Sequence, residues 1–164
     1  MPGLGVYAGS FDPPTLGHVW MIREGAKLFD RLMVAVGVNP EKRSAFPLET
    51  RLDWLRQITR PLANVEVGHY ENLFLARYAA TIGADYVLRG VRNVADYTYE
   101  QAMRNINSDL HPKLTTVFLM PPRELAEISS SAIRGMIGPD GWEAVVRRYV
   151  PECVFESLRN THGS

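Results

Sequence analysis

Cysteine is almost missing from this 164-residue chain: Cys153 stands alone, so no internal disulfide can form. His69, His111 and His162 share no ligand spacing with it or with one another, which removes a zinc site from the expectation. Charge of one sign is missing as well. Lys and Arg number 18, as do Asp and Glu, for a formal net charge of zero, and this argues against a dedicated nucleic-acid binder. No apolar run approaches the ~20 residues of a membrane span, and no charged-then-apolar leader opens the chain, so the expected setting is the cytoplasm with no membrane partner. Repeats, low-complexity tracts and linker composition are also lacking. The expectation is a single domain over residues 1–164, with residues 160–164 a polar, disordered tail. Lysine is scarce too, at Lys27, Lys42 and Lys113 against 15 arginines. That bias points to anion recognition, where the planar guanidinium fork matters.

Short β-branched, apolar runs recur at Gly3–Ala8, Leu32–Val38, Val65–His69, Tyr86–Leu88 and Thr115–Met120, and each reads as a buried strand. Between them, helical spacing predicts helices over Gly17–Phe29, Leu48–Thr59, Leu73–Ile82 and Tyr97–Leu110. Gly83 and Pro112 supply stop signals. Ser129 to Ser131 offer a cap before a helix over Ala132–Ile137, and Trp142–Arg159 reads as two more short helices. Strands alternating with helices predict an α/β fold: a Rossmann-like, doubly wound, five-stranded parallel sheet with C-terminal helices. Trp54, Leu55 and Ile58, at helical spacing, read as core or an oligomer interface.

Ligands of such sheets sit beyond the carboxyl ends of the strands. The segments there are Gly9 to Asp12, Asn39 to Arg43, Tyr70 to Leu75, Arg89 to Arg92 and Pro121 to Arg123. They collect Lys42, Arg43, Arg89, Arg92 and Arg123, a set suited to a polyphosphate. Any one of these could simply face water; five together are harder to dismiss. The first turn, GSFDPPTLGH, is neither G-x-x-x-x-G-K-[ST] nor G-x-G-x-x-G, which argues against a P-loop and a dinucleotide-binding dehydrogenase. It places His18 at the positive end of a helix, where an anion is expected. A lone histidine more often caps or packs, but the flanking glycine and the place after the first strand favour the anion site. No Ser/His/Asp arrangement of an organised nucleophile is evident.

GSFDPPTLGH with its T-x-G-H ending, the run RGVRNVADYTYE (Arg89, Gly90, Arg92, Asp96, Tyr99, Glu100) and ISSSAIR together resemble the nucleotidylyltransferase superfamily, most closely the phosphopantetheine adenylyltransferase family, over about residues 4–137. The resemblance implies transfer of AMP from ATP to 4′-phosphopantetheine, giving dephospho-coenzyme A and pyrophosphate, with Mg2+ on the phosphates and a homohexameric assembly. It assigns Ser10 and Phe11 to a loop touching both substrates, His18 to the α-phosphate in the transition state, and Lys42 to a bridge between the two phosphates. Arg89 falls on the acceptor phosphate. Gly90, Val91, Arg92 and Glu100 fall on ATP, as do Leu125, Ala126, Glu127, Ile128, Ser129, Ser130 and Ser131. His18, Lys42 and Arg92 are the implied catalytic residues, and no side chain is expected to ligate the metal.

Four positions depart from the family pattern. Glu127 stands where an aromatic is usual, and Trp20 where a small acidic residue is. The stretch Asn72–Arg77 is one residue longer, so the pantetheine contact falls to Leu73, Phe74 or Leu75, with Phe74 first. The tail from Gly135 is also atypical. The alternatives are a nucleotidyltransferase with another phosphate acceptor, such as nicotinate mononucleotide, and a nucleotide-binding regulatory module without catalysis. Retention of His18 speaks against the module, because a sensor needs affinity and not a group placed for the transition state.

Overall fold

Alternate residues of the first strand point to opposite sides of one sheet, and this divides the core in two. In β1 (Leu4–Gly9), Leu4, Val6 and Ala8 enter one layer and Tyr7 the other. The computed structural model describes residues 1–162. After β1 come α1 (Leu16–Leu28), β2 (Arg31–Val38), α2 (Leu48–Thr59), β3 (Val65–Glu71), α3 (Leu75–Ile82), β4 (Tyr86–Gly90), α4 (Val94–Leu110) and β5 (Thr115–Leu119). Four short helices follow: α5 (Arg123–Ala126), α6 (Ser130–Met136), α7 (Trp142–Val146) and α8 (Glu152–His162). The five strands pair in parallel in the order β3-β2-β1-β4-β5. This is the predicted doubly wound sheet.

The layer under α1 and α2 is built from large side chains: Ile22 and Phe29 of the first crossover, Leu52 and Leu55 of the second, and Leu32, Val34 and Val36 of β2. Each such burial contributes roughly 1.5–3 kcal/mol before entropy is counted. The layer under α3 and α4 is smaller, with Ala76, Ala79 and Ala84 against Val6, Ala35 and Val87. A third cluster folds the C-terminal helices onto α2: Trp54 meets Ile133, Trp142, Val146, Phe155 and Leu158. Trp54 is therefore core within this chain, 3% exposed.

Element ends differ from expectation for local reasons. α4 starts at Val94, three residues before Tyr97, because the Asn93 side chain accepts the Asp96 N–H at 2.9 Å and caps it there. α3 starts at Leu75 and not Leu73, since Asn72 sits at φ 49° and Phe74 is extended. α5 carries no periodic signal because it is one turn long. The tail expected to be disordered from residue 160 instead continues α8 through His162, whose ring lies edge-on to Trp142 at 6.4 Å. Gly163 and Ser164 lie outside the described residues.

Candidate functional site

β1 and β4 are neighbours whose connections leave on opposite faces, and a crevice opens where their carboxyl ends part. It encloses about 310 Å³. Ser10, His18, Arg89, Gly90, Arg92, Glu100, Leu125, Ile128, Ser129 and Ser130, all sequence candidates, face it. Tyr7, Thr15, Asp96 and Pro121 face it as well and were not anticipated as site residues.

His18 is the third residue of α1, and its role is set by the residue that caps the helix. Thr15 accepts the His18 N–H, and His18 Nδ1 in return accepts the Thr15 N–H at 2.9 Å. A backbone N–H can only donate, so Nδ1 carries the lone pair and Nε2 the proton. The capping reading is borne out, and it does not compete with the anion reading: the cap orients the ring through Nδ1 and leaves Nε2–H outside the capping contacts. Burial, aided by the nearby Arg92 charge, lowers the imidazole pKa to about 4. The ring is neutral at pH 7. Phe11, at φ 46° and fully buried, stands edge-on to the imidazole at 5.1 Å and to Tyr7 at 5.6 Å, so its side chain supports the ring from below and does not line the crevice.

Arg89 leaves β4 and is gripped from two sides. Nε donates to Glu100 Oε2 at 2.8 Å, Nη2 donates to Glu100 Oε1, and Nη1 donates to the Ala8 carbonyl at 3.0 Å. Three of its five N–H donors are spent, and two remain for an anion. Burial works to lower its pKa, but the hydrogen bond and charge of Glu100, with Tyr7 and Tyr70 behind, raise it overall. The Tyr7 hydroxyl is pushed up by its own burial and keeps its proton. Glu100 therefore orients Arg89.

Arg92 is held in the same way by its i+4 neighbour: Nε reaches Asp96 Oδ2 at 2.7 Å and Nη2 reaches Oδ1 at 3.2 Å. That hydrogen bond holds the Asp96 carboxyl below its usual range and raises the guanidinium. The R-x-x-x-D spacing in RNVAD was the signal available in the sequence. Across the crevice, Ser129 caps α6 by accepting the Ala132 N–H at 3.1 Å, and Ser130 Oγ donates to the Pro13 carbonyl at 2.8 Å.

The other expected residues are not in the crevice lining. Val91 is buried behind it, while Ala126, Glu127 and Ser131 stand outside the crevice lining. Glu127 and Arg123 line a neighbouring hollow with Arg92, Met120 and Ser129. Lys42 and Arg43 lie exposed in the 39–47 loop; a turn closes there, with the Lys42 N–H on the Asn39 carbonyl at 3.0 Å. Phe74, 62% exposed, lines a separate depression with Val38, Asn39, Asn72 and Leu73. Of the five cations expected to converge, Arg89 and Arg92 face the crevice, whereas Lys42, Arg43 and Arg123 are not in its lining. Among the described residues no three His, Cys, Asp or Glu side chains group as metal ligands, and the crevice carboxylates Asp96 and Glu100 are engaged by arginines.

The cytidylyltransferase-like family model matches residues 6–136, a span that runs from within β1 to the end of α6 and leaves α7 and α8 outside it. A Chromobacterium violaceum protein named phosphopantetheine adenylyltransferase is 55% identical over 158 residues, 96% of each chain. One of the same name from Neisseria meningitidis serogroup C is 52% identical over 161 residues, 98% of this chain and 95% of that one. Among solved structures, the Plasmodium falciparum nicotinic acid mononucleotide adenylyltransferase complexed with NaAD superposes with a TM-score of 0.71, covering 98% of this chain and 96% of that one. At 12% identity that likeness speaks to the fold alone.

Proposed function

The chain belongs to the phosphopantetheine adenylyltransferases, within the cytidylyltransferase-like nucleotidyltransferases, and from that premise we propose that it transfers AMP from ATP to 4′-phosphopantetheine, releasing pyrophosphate and dephospho-coenzyme A. The observation that carries this reading is the trio facing one crevice: a neutral histidine donating Nε2–H and two arginines each fixed by a carboxylate.

The acceptor phosphate oxygen attacks the α-phosphorus, the bond from that phosphorus to the bridging β-oxygen breaks, and the electron pair leaves with pyrophosphate. No protein nucleophile takes part. The chain's work is positioning and stabilisation of charge. The two free donors of Arg89 hold the acceptor phosphate. His18 Nε2–H donates to the non-bridging oxygens of the α-phosphate as negative charge gathers there, and a neutral donor needs no proton transfer to do so. Arg92, the Ser129–Ser131 turn and the Leu125–Ile128 segment hold ATP, with Gly90, Val91 and Glu100 behind. Lys42 reaches in from its loop to bridge both phosphates, Ser10 bonds a phosphate at the mouth, the Phe11 backbone shapes that loop, and Phe74 packs on the pantetheine arm. Mg2+ enters as part of the MgATP substrate.

The enzyme works in the cytoplasm as a homohexamer. Support for association comes from apolar side chains exposed near the β5 edge and along α4: Val94, Tyr97, Tyr99, Phe118 and Met120. None of the described helices is long and apolar enough to cross a membrane. Light scattering should return the mass of six chains.

The test of function is pyrophosphate release from MgATP with 4′-phosphopantetheine, nicotinate mononucleotide and glycerol phosphate in turn, products identified by mass. Release with phosphopantetheine alone is the expected result. Release with another acceptor moves the specificity, and ATP binding without release from any of them removes the enzymatic reading.

A further inference from the structure

Asp12 is 6% exposed and its side chain does not face the crevice, yet it ties the 39–47 loop to α6, the helix that Ser129 caps at the crevice. Its Oδ2 accepts the Ala45 N–H at 2.9 Å and its Oδ1 accepts the Phe46 N–H at 2.9 Å. These are the last amides of the loop that carries Lys42. The loop's other end is fixed by the turn at Asn39, where the side chain accepts the Glu41 N–H at 2.9 Å. Asp12 also faces the nucleotide side. Its carbonyl accepts from Nη1 of Arg134 in α6, and that guanidinium lies 3.6 Å from Oδ2. On either side of Asp12, the Ser10 carbonyl accepts from Arg51 Nη1 of α2 at 2.9 Å and the Pro13 carbonyl accepts from Ser130 Oγ.

A buried carboxylate costs free energy unless both oxygens are bonded, and charge-assisted bonds to backbone amides hold geometry more strongly than neutral ones. We propose that Asp12 is a positioning residue for adenylyl transfer. Its carboxylate fixes the 39–47 loop so that Lys42 meets the phosphates, and its tie to Arg134 sets that loop in register with the Ser129–Ser131 turn. The acceptor side and the ATP side are then aligned by one residue that touches neither substrate. This rests on Lys42 acting at the phosphates, as proposed above.

Asp12→Asn keeps the size of the side chain and replaces one acceptor oxygen by an amide NH2, which cannot accept, so one of the two loop amides loses its partner. We expect kcat to fall by about 10²-fold, the loss that a misplacement of order 1 Å can bring, with KM for ATP little changed. The deciding readout is a double-mutant cycle. Lys42→Ala should cost far less in the Asp12→Asn chain than in the wild-type chain, because the lysine is already out of place. Full additivity of the two losses overturns the proposal and leaves Asp12 a plain stabilising residue. Hydrogen exchange gives a measure independent of turnover: residues 40–46 should exchange faster in Asp12→Asn while β1 and β4 keep their protection. Unchanged exchange in that loop overturns the proposal as well. Where the loop loosens but Lys42→Ala is silent in the wild-type chain, it is the assignment of Lys42 that fails, and the proposal falls with it while the anchor remains. Arg134→Met, which leaves the carboxylate in place and removes its tie to α6, guards against misfolding of the first variant and should show the same non-additivity with Lys42→Ala at smaller size.

Discussion

Glu100 on α4 meets Arg89 on β4 through two parallel N–H···O contacts, from a carboxylate whose side chain is only 9% exposed. Removing one member of such a buried pair strands the other. Glu100→Ala should therefore cost about 3 kcal/mol of folding free energy, read from urea unfolding, and should raise KM for the acceptor because the guanidinium is no longer aimed. Glu100→Gln, which keeps one acceptor oxygen, should fall between that variant and the wild type. If the acceptor KM stays constant in both, Arg89 is held by the Ala8 carbonyl alone and the role given to Glu100 is wrong.

His18→Ala should separate binding from chemistry. Losing a donor that acts on charge developing in the transition state lowers kcat by about 10²- to 10³-fold, while KM for ATP changes little. A large loss of ATP affinity with turnover of bound ATP intact would falsify the transition-state role.

The same imidazole predicts a pH dependence of stability. Its pKa is about 4 in the folded chain and near 6.5 when unfolded, so between these values the unfolded chain binds more protons. Stability contributed by His18 is complete above pH 6.5 and is lost as the pH falls towards 4. Urea midpoints of the wild type and His18→Gln, measured from pH 4 to 8, should diverge least at the acid end. NMR of the ring nitrogens at pH 7 should show Nδ1 unprotonated and Nε2 protonated. An ordinary titration near 6.5 would contradict both.

Lys42 is exposed in its loop, with no hydrogen bond from its side chain to any of the described residues. Lys42→Ala should leave stability within about 0.5 kcal/mol of the wild type and still reduce kcat/KM for both substrates by more than tenfold, since alignment is lost on both sides. A variant that unfolds early would point to a structural role that the loop's exposure does not suggest.

Much of this architecture was legible in the residues. The five strands came through because β-branched runs such as Leu32–Val38 have no other use than burial, and the crevice followed from the parallel order. Ser10 and His18 of the first turn and Arg89, Gly90, Arg92 and Glu100 of RGVRNVADYTYE, named from the sequence, line one crevice, but the contacts among them were not foreseen. The Glu100 to Arg89 pair left no trace because hydrogen bonds between residues 11 apart leave no local periodicity, whereas the Arg92 to Asp96 pair sits at helical spacing and could have been read. Thr15 was legible in principle as a cap three residues before His18. Asp12 was passed over because its partners are backbone amides at 45 and 46, and no side-chain pattern records a backbone partner.

The bonds that fix the first turn also set an order of events on the ribosome. Ser130 and Arg134 reach back 117 and 122 residues to Pro13 and Asp12, and the Tyr149 carbonyl accepts the Leu16 N–H at the start of α1. All five strands have been synthesised by Leu119. A nascent chain halted there can form its sheet, but the turn that follows β1 lacks three of its fastenings until the last helices emerge. The earliest residues made are thus the last to be finished, and contacts of such long sequence separation come late in folding. A chain cut short by a premature stop between Leu119 and Ser130 would keep its strands and lose all three ties to the first turn.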